Sequence, residues 1–260
     1  MTILDQLAGH ARQRTLLAQK EMPLAALRQK ALRIPKGTFP FERALKKPGM
    51  SFICECKKAS PSRGLISPDF PYLDIAREYQ EAGADCISVL TEPKWFLGRN
   101  AYLEEIAAAV SLPCLRKDFV TDEYMIYEAK VLGAAAVLLI CSILSQGQLR
   151  EYLCLCDELG LSALTEVHSE AEVLTAIDAG ARIIGVNNRD LHDFSVDLTN
   201  SRRKRALIPP DRIFVAESGI SSAEDILALS GIGADAVLVG EALMRSPDKK
   251  ARLQEWRSCL

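Results

Sequence analysis

From about residue 50 the chain repeats one phrase. A short apolar run is followed by a polar loop and then by an amphipathic stretch that often closes on glycine or proline. The apolar runs fall at 51–57, 84–90, 113–119, 135–142, 161–167, 181–187, 212–218 and 234–240. Stretches such as 71–83, 100–110, 122–133, 169–180 and 222–233 lie between them, with apolar residues three and four apart, the spacing of a helix face. Gly83, Gly133, Gly160 and Gly180 stand where helix C-caps are expected. Strands alternating with helices imply a parallel sheet. Eight such units match a (β/α)8 barrel, which takes about 250 residues. A doubly wound sheet would call for a glycine-rich turn after the first strand, and none is present. The reading is an α/β chain with one (β/α)8 barrel over 49–260. Residues 1–48 form a helical extension of two or three helices packing on the barrel, broken near 34–40.

The chain has 260 residues, 48% hydrophobic and 25% charged, with a formal net charge of −2. That composition suits a soluble domain and gives no electrostatic reason to bind nucleic acid or membrane. No apolar run reaches the roughly 18–20 residues of a membrane span. The opening residues lack the basic-then-apolar order of a secretory signal and read as helix. Eight cysteines, two of them in each of the C-x-C pairs Cys54/Cys56 and Cys154/Cys156, read as reduced core thiols in a reducing, cytoplasmic setting. Only His10, His168 and His192 could supplement them as zinc ligands, so no metal site is expected.

In such a barrel the active site lies at the C-terminal ends of the strands. The first run ends in Glu55 and Lys57, two residues apart and so on one face, which leaves Cys54 and Cys56 toward the helices. The same parity turns Lys117 inward above Leu115, Glu166 above Leu164, Asn187 and Arg189 above Gly185, and Glu217 above Val215. Leu138 and Ile140 add apolar inward positions. One inward charge is ordinary ion-pair structure. Seven polar groups from five strands are not, because each buried charge costs several kcal/mol, to order of magnitude, unless paired. Such a cluster marks a site that tunes pKa values. In 216–221 and 238–243, Gly219 and Gly240 follow strand ends, where the last two loops of a barrel commonly hold phosphate. The Glu241 side chain would repel phosphate, so only its amide is expected to contribute. A phosphosugar isomerase and a non-catalytic phosphosugar-binding barrel are the competing readings. The first gives no reason for pairing Lys57 with Lys117, and the second does not need Lys117 or Glu166.

In order along the chain stand ECKKASPSRG, SVLTEPKWFLG, LRKDF, LLICSIL, TEVH, IGVNNRDL, VAESGI and VLVGEALM. With these motifs the chain resembles the indole-3-glycerol phosphate synthase family over essentially its whole length. The resemblance implies a cofactor-free lyase of tryptophan biosynthesis, a decarboxylating and dehydrating ring closure. It implies Lys117 as general acid, steadied by Glu55, and Lys57 on substrate anions and in dehydration. Glu166 is the implied base or electrostatic partner, oriented by Asn187. Ser60 and Arg189 are the implied carboxylate ligands. Ser218, Gly219, Gly240 and the Glu241 amide are the implied phosphate cradle. Phe96, Phe119, Leu138, Ile140 and Leu238 are implied to line the substrate site, and Glu217 to partner a lysine. The implied partner is a small phosphorylated substrate, in a monomer or weak homo-oligomer, and the extension should cover the barrel mouth, with Phe39 and Phe41 helping to close it.

Overall fold

The computed structural model describes residues 2–190 and 194–260, so Leu191, at the end of the IGVNNRDL motif, and His192 lie outside the described residues. The eight barrel strands are β1 (Ser51–Cys56), β2 (Cys86–Leu90), β3 (Cys114–Lys117), β4 (Ala136–Ile140), β5 (Ser162–Val167), β6 (Ile183–Asn187), β7 (Ile213–Glu217) and β8 (Ala236–Val239). They close in that order, each parallel to the next, with β8 pairing back to β1. Nearly every strand residue is buried, as expected where side chains fill the barrel on one face and meet helices on the other. The observed strands are up to two residues shorter at an end than the apolar runs, because residues such as Phe119 and Ser218 already belong to the loops.

The helices are α1 (Ile3–Glu21), α2 (Leu24–Arg33), α3 (Pro40–Leu45), α4 (Tyr72–Glu81), α5 (Asn100–Ala109), α6 (Glu123–Val131), α7 (Gln146–Leu159), α8 (Glu170–Ala179), α9 (Thr199–Arg205), α10 (Ala223–Gly231), α11 (Glu241–Arg245) and α12 (Lys249–Ser258). Their starts follow side-chain chemistry. Asp122, Ser145, Ser169 and Ser222 each accept from an amide of the first turn of α6, α7, α8 and α10. Gly160 and Gly180 end α7 and α8 in the left-handed conformation.

The extension divides its work between the two ends of the barrel. Helix α1 lies across the mouth. Arg14 forks onto Asp118 at 2.7 and 3.2 Å, His10 Nδ1 is 3.0 Å from Glu92 Oε1, and Tyr124 Oη donates to the Ala18 carbonyl at 3.3 Å. Helix α2 packs along α6. The chain then crosses to the floor at Gly37, whose amide donates to Leu159 O at 3.1 Å. A Cβ on Gly37 would strike the Gly160 carbonyl, so this crossing requires glycine. Lys130 pins the same crossing by donating to Pro35 O at 2.8 Å and Leu159 O at 2.9 Å. Helix α3 seals the N-terminal ends of the strands: the Glu42 amide donates to Ser162 Oγ and Ser51 Oγ donates to Ala44 O. Phe41 is fully buried there, and Phe39 lies under the Arg182 guanidinium at 4.9 Å. The expectation that these two phenylalanines close the mouth is therefore corrected. They plug the opposite end, and α1 covers the mouth.

Candidate active site

A cavity of about 340 Å³ opens at the C-terminal ends of the strands, a volume suited to a small phosphorylated molecule. Glu55, Lys57, Lys117, Glu166, Asn187, Arg189 and Glu217 all line it, so the charged groups from five strands do converge. Ser60, Phe96, Phe119, Leu138, Ile140, Ser218, Gly219, Leu238, Gly240 and Glu241 complete the lining drawn from the sequence. Ile3, Leu7, Arg63, Phe194 and Val196 also line it and were not singled out. Arg63 stood inside the quoted SPSRG run. Ile3 and Leu7 carried no signal, because no strand-end rule reaches an N-terminal helix.

Two charge pairs form the wall. Lys57 Nζ lies 2.8 Å from Glu55 Oε1, and Ser88 Oγ donates to Glu55 Oε2 at 3.2 Å. Burial alone would raise the Glu55 carboxyl, but Lys57 and Lys117 outweigh it and hold it below its ordinary value. Lys117 Nζ is 3.6 Å from Glu166 Oε2 and 3.8 Å from Glu217 Oε2, outside the roughly 2.7–3.2 Å of a directed hydrogen bond. Burial pulls the Lys117 ammonium down, yet Glu166, Glu217 and Glu55 outweigh that and keep it charged, above its ordinary value. Glu217 shows the reverse. Burial and then the Glu166 carboxylate push it up to about 8, against the pull of Lys117. A Cβ on Gly185 would strike Glu217 Oε1, so the glycine beneath makes room for this carboxyl.

Asn187 Nδ2 donates to Glu166 Oε1 at 3.1 Å, and its Oδ1 accepts from the Arg189 amide at 2.9 Å. One asparagine thus orients both Glu166 and the loop that carries Arg189. On the far side, a short hairpin pairs Ala59–Ser60 with Gly64–Leu65, which brings Ser60 and Arg63 to the rim. Phe96 and Phe119 pack on each other at 6.1 Å between ring centroids, tilted by 38°, and form one apolar wall against which an aromatic ring can pack. This wall is held from behind. Glu92 accepts from the Lys94, Trp95 and Phe96 amides, and Asp118 accepts from the Phe119 amide, Thr91 and Arg14. Burial would raise the Asp118 carboxyl, but Arg14 and Arg116 outweigh it and hold it below its ordinary value.

The phosphate expectation falls where Ser218 and Gly219 both adopt positive φ, 67° and 80°. Gly240 begins α11 without a side-chain cap, leaving first-turn amides available. The Glu241 carboxylate does not turn away unengaged. It is held by Arg63 at 3.0 Å, Arg245 at 3.4 Å and Arg189 at 3.8 Å.

Residues 4–256 match the family profile described as indole-3-glycerol phosphate synthase. The chain is 53% identical over 256 residues to the indole-3-glycerol phosphate synthase of Ruminiclostridium cellulolyticum, covering 98% of each chain. It is 50% identical to that of Endomicrobium trichonymphae, covering 97% of this chain and 98% of the other. Among solved structures, 3-hexulose-6-phosphate synthase superposes with a TM-score of 0.64 at 15% identity, covering 81% of this chain and 100% of that one. Thiamine phosphate pyrophosphorylase from Pyrococcus furiosus does so with 0.60 at 18% identity, covering 81% and 94%. Those two likenesses speak for the barrel alone. The relatives that share half of its residues, together with the profile over nearly its full length, speak for more: the chain belongs to the indole-3-glycerol phosphate synthase family.

Proposed function

We propose that this cavity closes an indole ring with Lys117 as the acid, converting 1-(2-carboxyphenylamino)-1-deoxyribulose 5-phosphate to indole-3-glycerol phosphate, CO2 and water, as a carboxy-lyase of the cytoplasm. The observation that carries the reading is the Lys117 ammonium at the cavity wall, kept charged by the glutamates around it, Glu166 foremost, and tied to neither Glu166 nor Glu217 at hydrogen-bond length. A proton donor in that state can meet an oxyanion as it forms.

The steps follow from the substrate. The ring carbon bearing the carboxylate attacks the ketone carbon, and Lys117 protonates the ketone oxygen to a hydroxyl. The ring now carries positive charge, which the Glu166 carboxylate stabilises. Loss of CO2 returns the bonding pair to the ring and restores aromaticity. The hydroxyl then leaves as water with a proton from Lys57, which is steadied by Glu55. Glu166 takes the proton from the adjacent CH2, completing the indole double bond. Arg189 and Ser60 hold the carboxylate until it departs, Arg189 through its fork of donors. Ser218, Gly219, Gly240 and the Glu241 amide hold the phosphate, and the ring packs against the Phe96–Phe119 wall. Glu217, carrying a proton at neutral pH, leaves Lys117 charged without adding a further full negative charge.

The test is incubation with the carboxyphenylamino-deoxyribulose phosphate while following indole fluorescence. The parent chain should produce a steady rise. A chain that binds this substrate but gives no rise overturns the reading.

A further inference from the structure

His168 follows Glu166 by two residues at the end of β5, so both side chains leave the same face of the strand. Glu166 lines the cavity and His168 does not; the imidazole stands behind the carboxylate. Its Nε2 is sealed from solvent, makes no hydrogen bond among the described residues, and lies 3.3 Å from Glu166 Oε1. Its Nδ1 faces the rim, 3.3 Å from Ser142 Oγ and 3.7 Å from Glu172 Oε2. Ser142 donates to Glu172 Oε1 at 3.1 Å, and Glu172 Oε2 accepts the His168 amide at 2.7 Å. Three elements thus fix the ring: the end of β5, the 3-10 turn Cys141–Ile143 after β4, and α8.

The reaction above uses neither His168 nor Glu172. We propose that His168 is a positioning residue for Glu166, its imidazolium bridging Glu166 inside and Glu172 outside and holding the Glu166 carboxylate toward the cavity. The inference deepens the proposed function and depends on Glu166 acting there. Glu166 Oε2 faces Lys117, and Oε1 is shared between Asn187 and His168. Without the imidazole, only the asparagine amide would keep the carboxylate from rotating onto Lys117. An imidazolium can donate at both nitrogens, but a neutral ring can donate at only one. Because the Ser142 hydroxyl is given to Glu172, it accepts from Nδ1, and a neutral ring protonated there presents a lone pair to Glu166 Oε1.

The charged groups around the ring favour the bridging form. Burial lowers its pKa, but Glu172 and Glu166 outweigh both that and the opposing Lys117, and the imidazole ends above its ordinary value. Glu172 in turn is felt by Cys141 after β4 and by Lys204 on α9. The bridging form is therefore complete at low pH and is lost as pH rises through the raised value, above the ordinary imidazole pKa of about 6.5.

Three variants test this through kcat, KM and the pH profile, with the thermal midpoint measured alongside. His168→Ala should lower kcat at least about tenfold, well short of the about 10²–10⁴-fold of losing an acid–base group itself, with KM changed less than about threefold. His168→Gln, which can still donate toward Glu166 but does not titrate, should recover most of that kcat and flatten the basic limb of the profile. Glu172→Gln keeps the amide contact and should move that limb to lower pH, because the imidazolium loses its outer anion. His168→Ala with kcat within about twofold of the parent would overturn the proposal. So would a Gln variant no better than Ala, or one whose profile superimposes on the parent's. If the Ala variant does not fold, the profiles of the Gln variants decide. Glu166→Gln is the control. If it turns over normally, the assignment of Glu166 has failed; if it is inactive while the His168 variants are neutral, only this inference has failed.

Discussion

The floor and the mouth of the barrel are both ringed by carboxylates facing cations, and the two rings are built differently. At the floor, Asp85 accepts from the Phe52 amide at 3.0 Å and meets Lys47 and Arg257. Asp235 accepts from the Phe214 amide at 2.7 Å. Glu42 sits between Lys46 and Arg182, each at 2.8 Å, and Arg182 reaches on to Asp157 at 2.8 Å. Each floor carboxylate accepts from a strand-starting amide or is bracketed by two cations. At the mouth, Glu166 Oε2 and Glu217 Oε1 are sealed from solvent and have no hydrogen-bond partner among the described residues, while Lys117 stands off at ion-pair distance. A satisfied network holds a fold together; an unsatisfied one is retained where a ligand is to complete it. Charges at the floor should therefore be worth stability, and those at the mouth turnover.

The sharpest break of that contrast uses Lys117. Lys117→Ala should abolish indole-glycerol phosphate formation while substrate binding stays measurable by titration; near-normal turnover would remove Lys117 as the acid. Glu166→Gln should slow turnover by about 10²–10⁴-fold. It also removes a negative charge from beside Glu217, so its thermal midpoint should equal or exceed the parent's. A large fall in stability would put this mouth carboxylate in the same class as those of the floor.

The floor should answer in the opposite way. Asp85→Ala leaves the Phe52 amide without its acceptor and Arg257 and Lys47 without their anion, at a cost of about 3 kcal/mol. For a chain of this size the midpoint should fall by about 2–4 °C per kcal/mol, with kcat per folded molecule unchanged. A kcat loss with an unchanged midpoint would contradict the division. Glu217 supplies a subtler arm. Its folded pKa, about 8, lies above the ordinary 4.5, so between those values the native state keeps a proton that the unfolded chain has released. That contribution to stability is complete below the ordinary value and is lost as pH rises through the window. Glu217→Gln should flatten this decline, and urea melts on either side of the window measure it. A decline of unchanged slope would show that Glu217 is not the group responsible.

How much of this was legible in the sequence follows from what periodicity can encode. Strand order, closure and the inward set from Glu55 to Glu217 depend on alternation within short runs, which the residues display directly. His168 was reachable by the same rule, two residues beyond Glu166, although a histidine at a loop boundary has many ordinary explanations. Phe39 and Phe41 could not be assigned an end of the barrel. Their apolar character says that they are buried, while the end they bury is fixed by the crossing at Gly37 against Gly160. Likewise Leu7 reaches the cavity only because His10 and Arg14, further along α1, are held by Glu92 and Asp118 across more than eighty residues of chain. Such long-range pairings have no local signature.

The smallest expected effect concerns Glu241, a mouth carboxylate built in the manner of the floor. Glu241 is clasped by Arg63, Arg189 and Arg245, and its side chain remains about a quarter exposed, so solvent screens each pair. Two of those arginines line the cavity, so a substrate anion bound there would compete with Glu241 for them. Replacing it with serine frees Arg63 and Arg189 and removes a negative charge from beside the loops proposed to hold phosphate. Screened pairs of this kind are worth about 0.2–1 kcal/mol each, so KM should fall by about two- to fivefold while kcat holds. Raising the salt concentration should narrow the difference between the two proteins, because the effect is electrostatic and partly exposed. A KM that rises instead would mean that the carboxylate positions the arginines for substrate, and the satisfied cluster at the rim would then belong to function rather than to the framework.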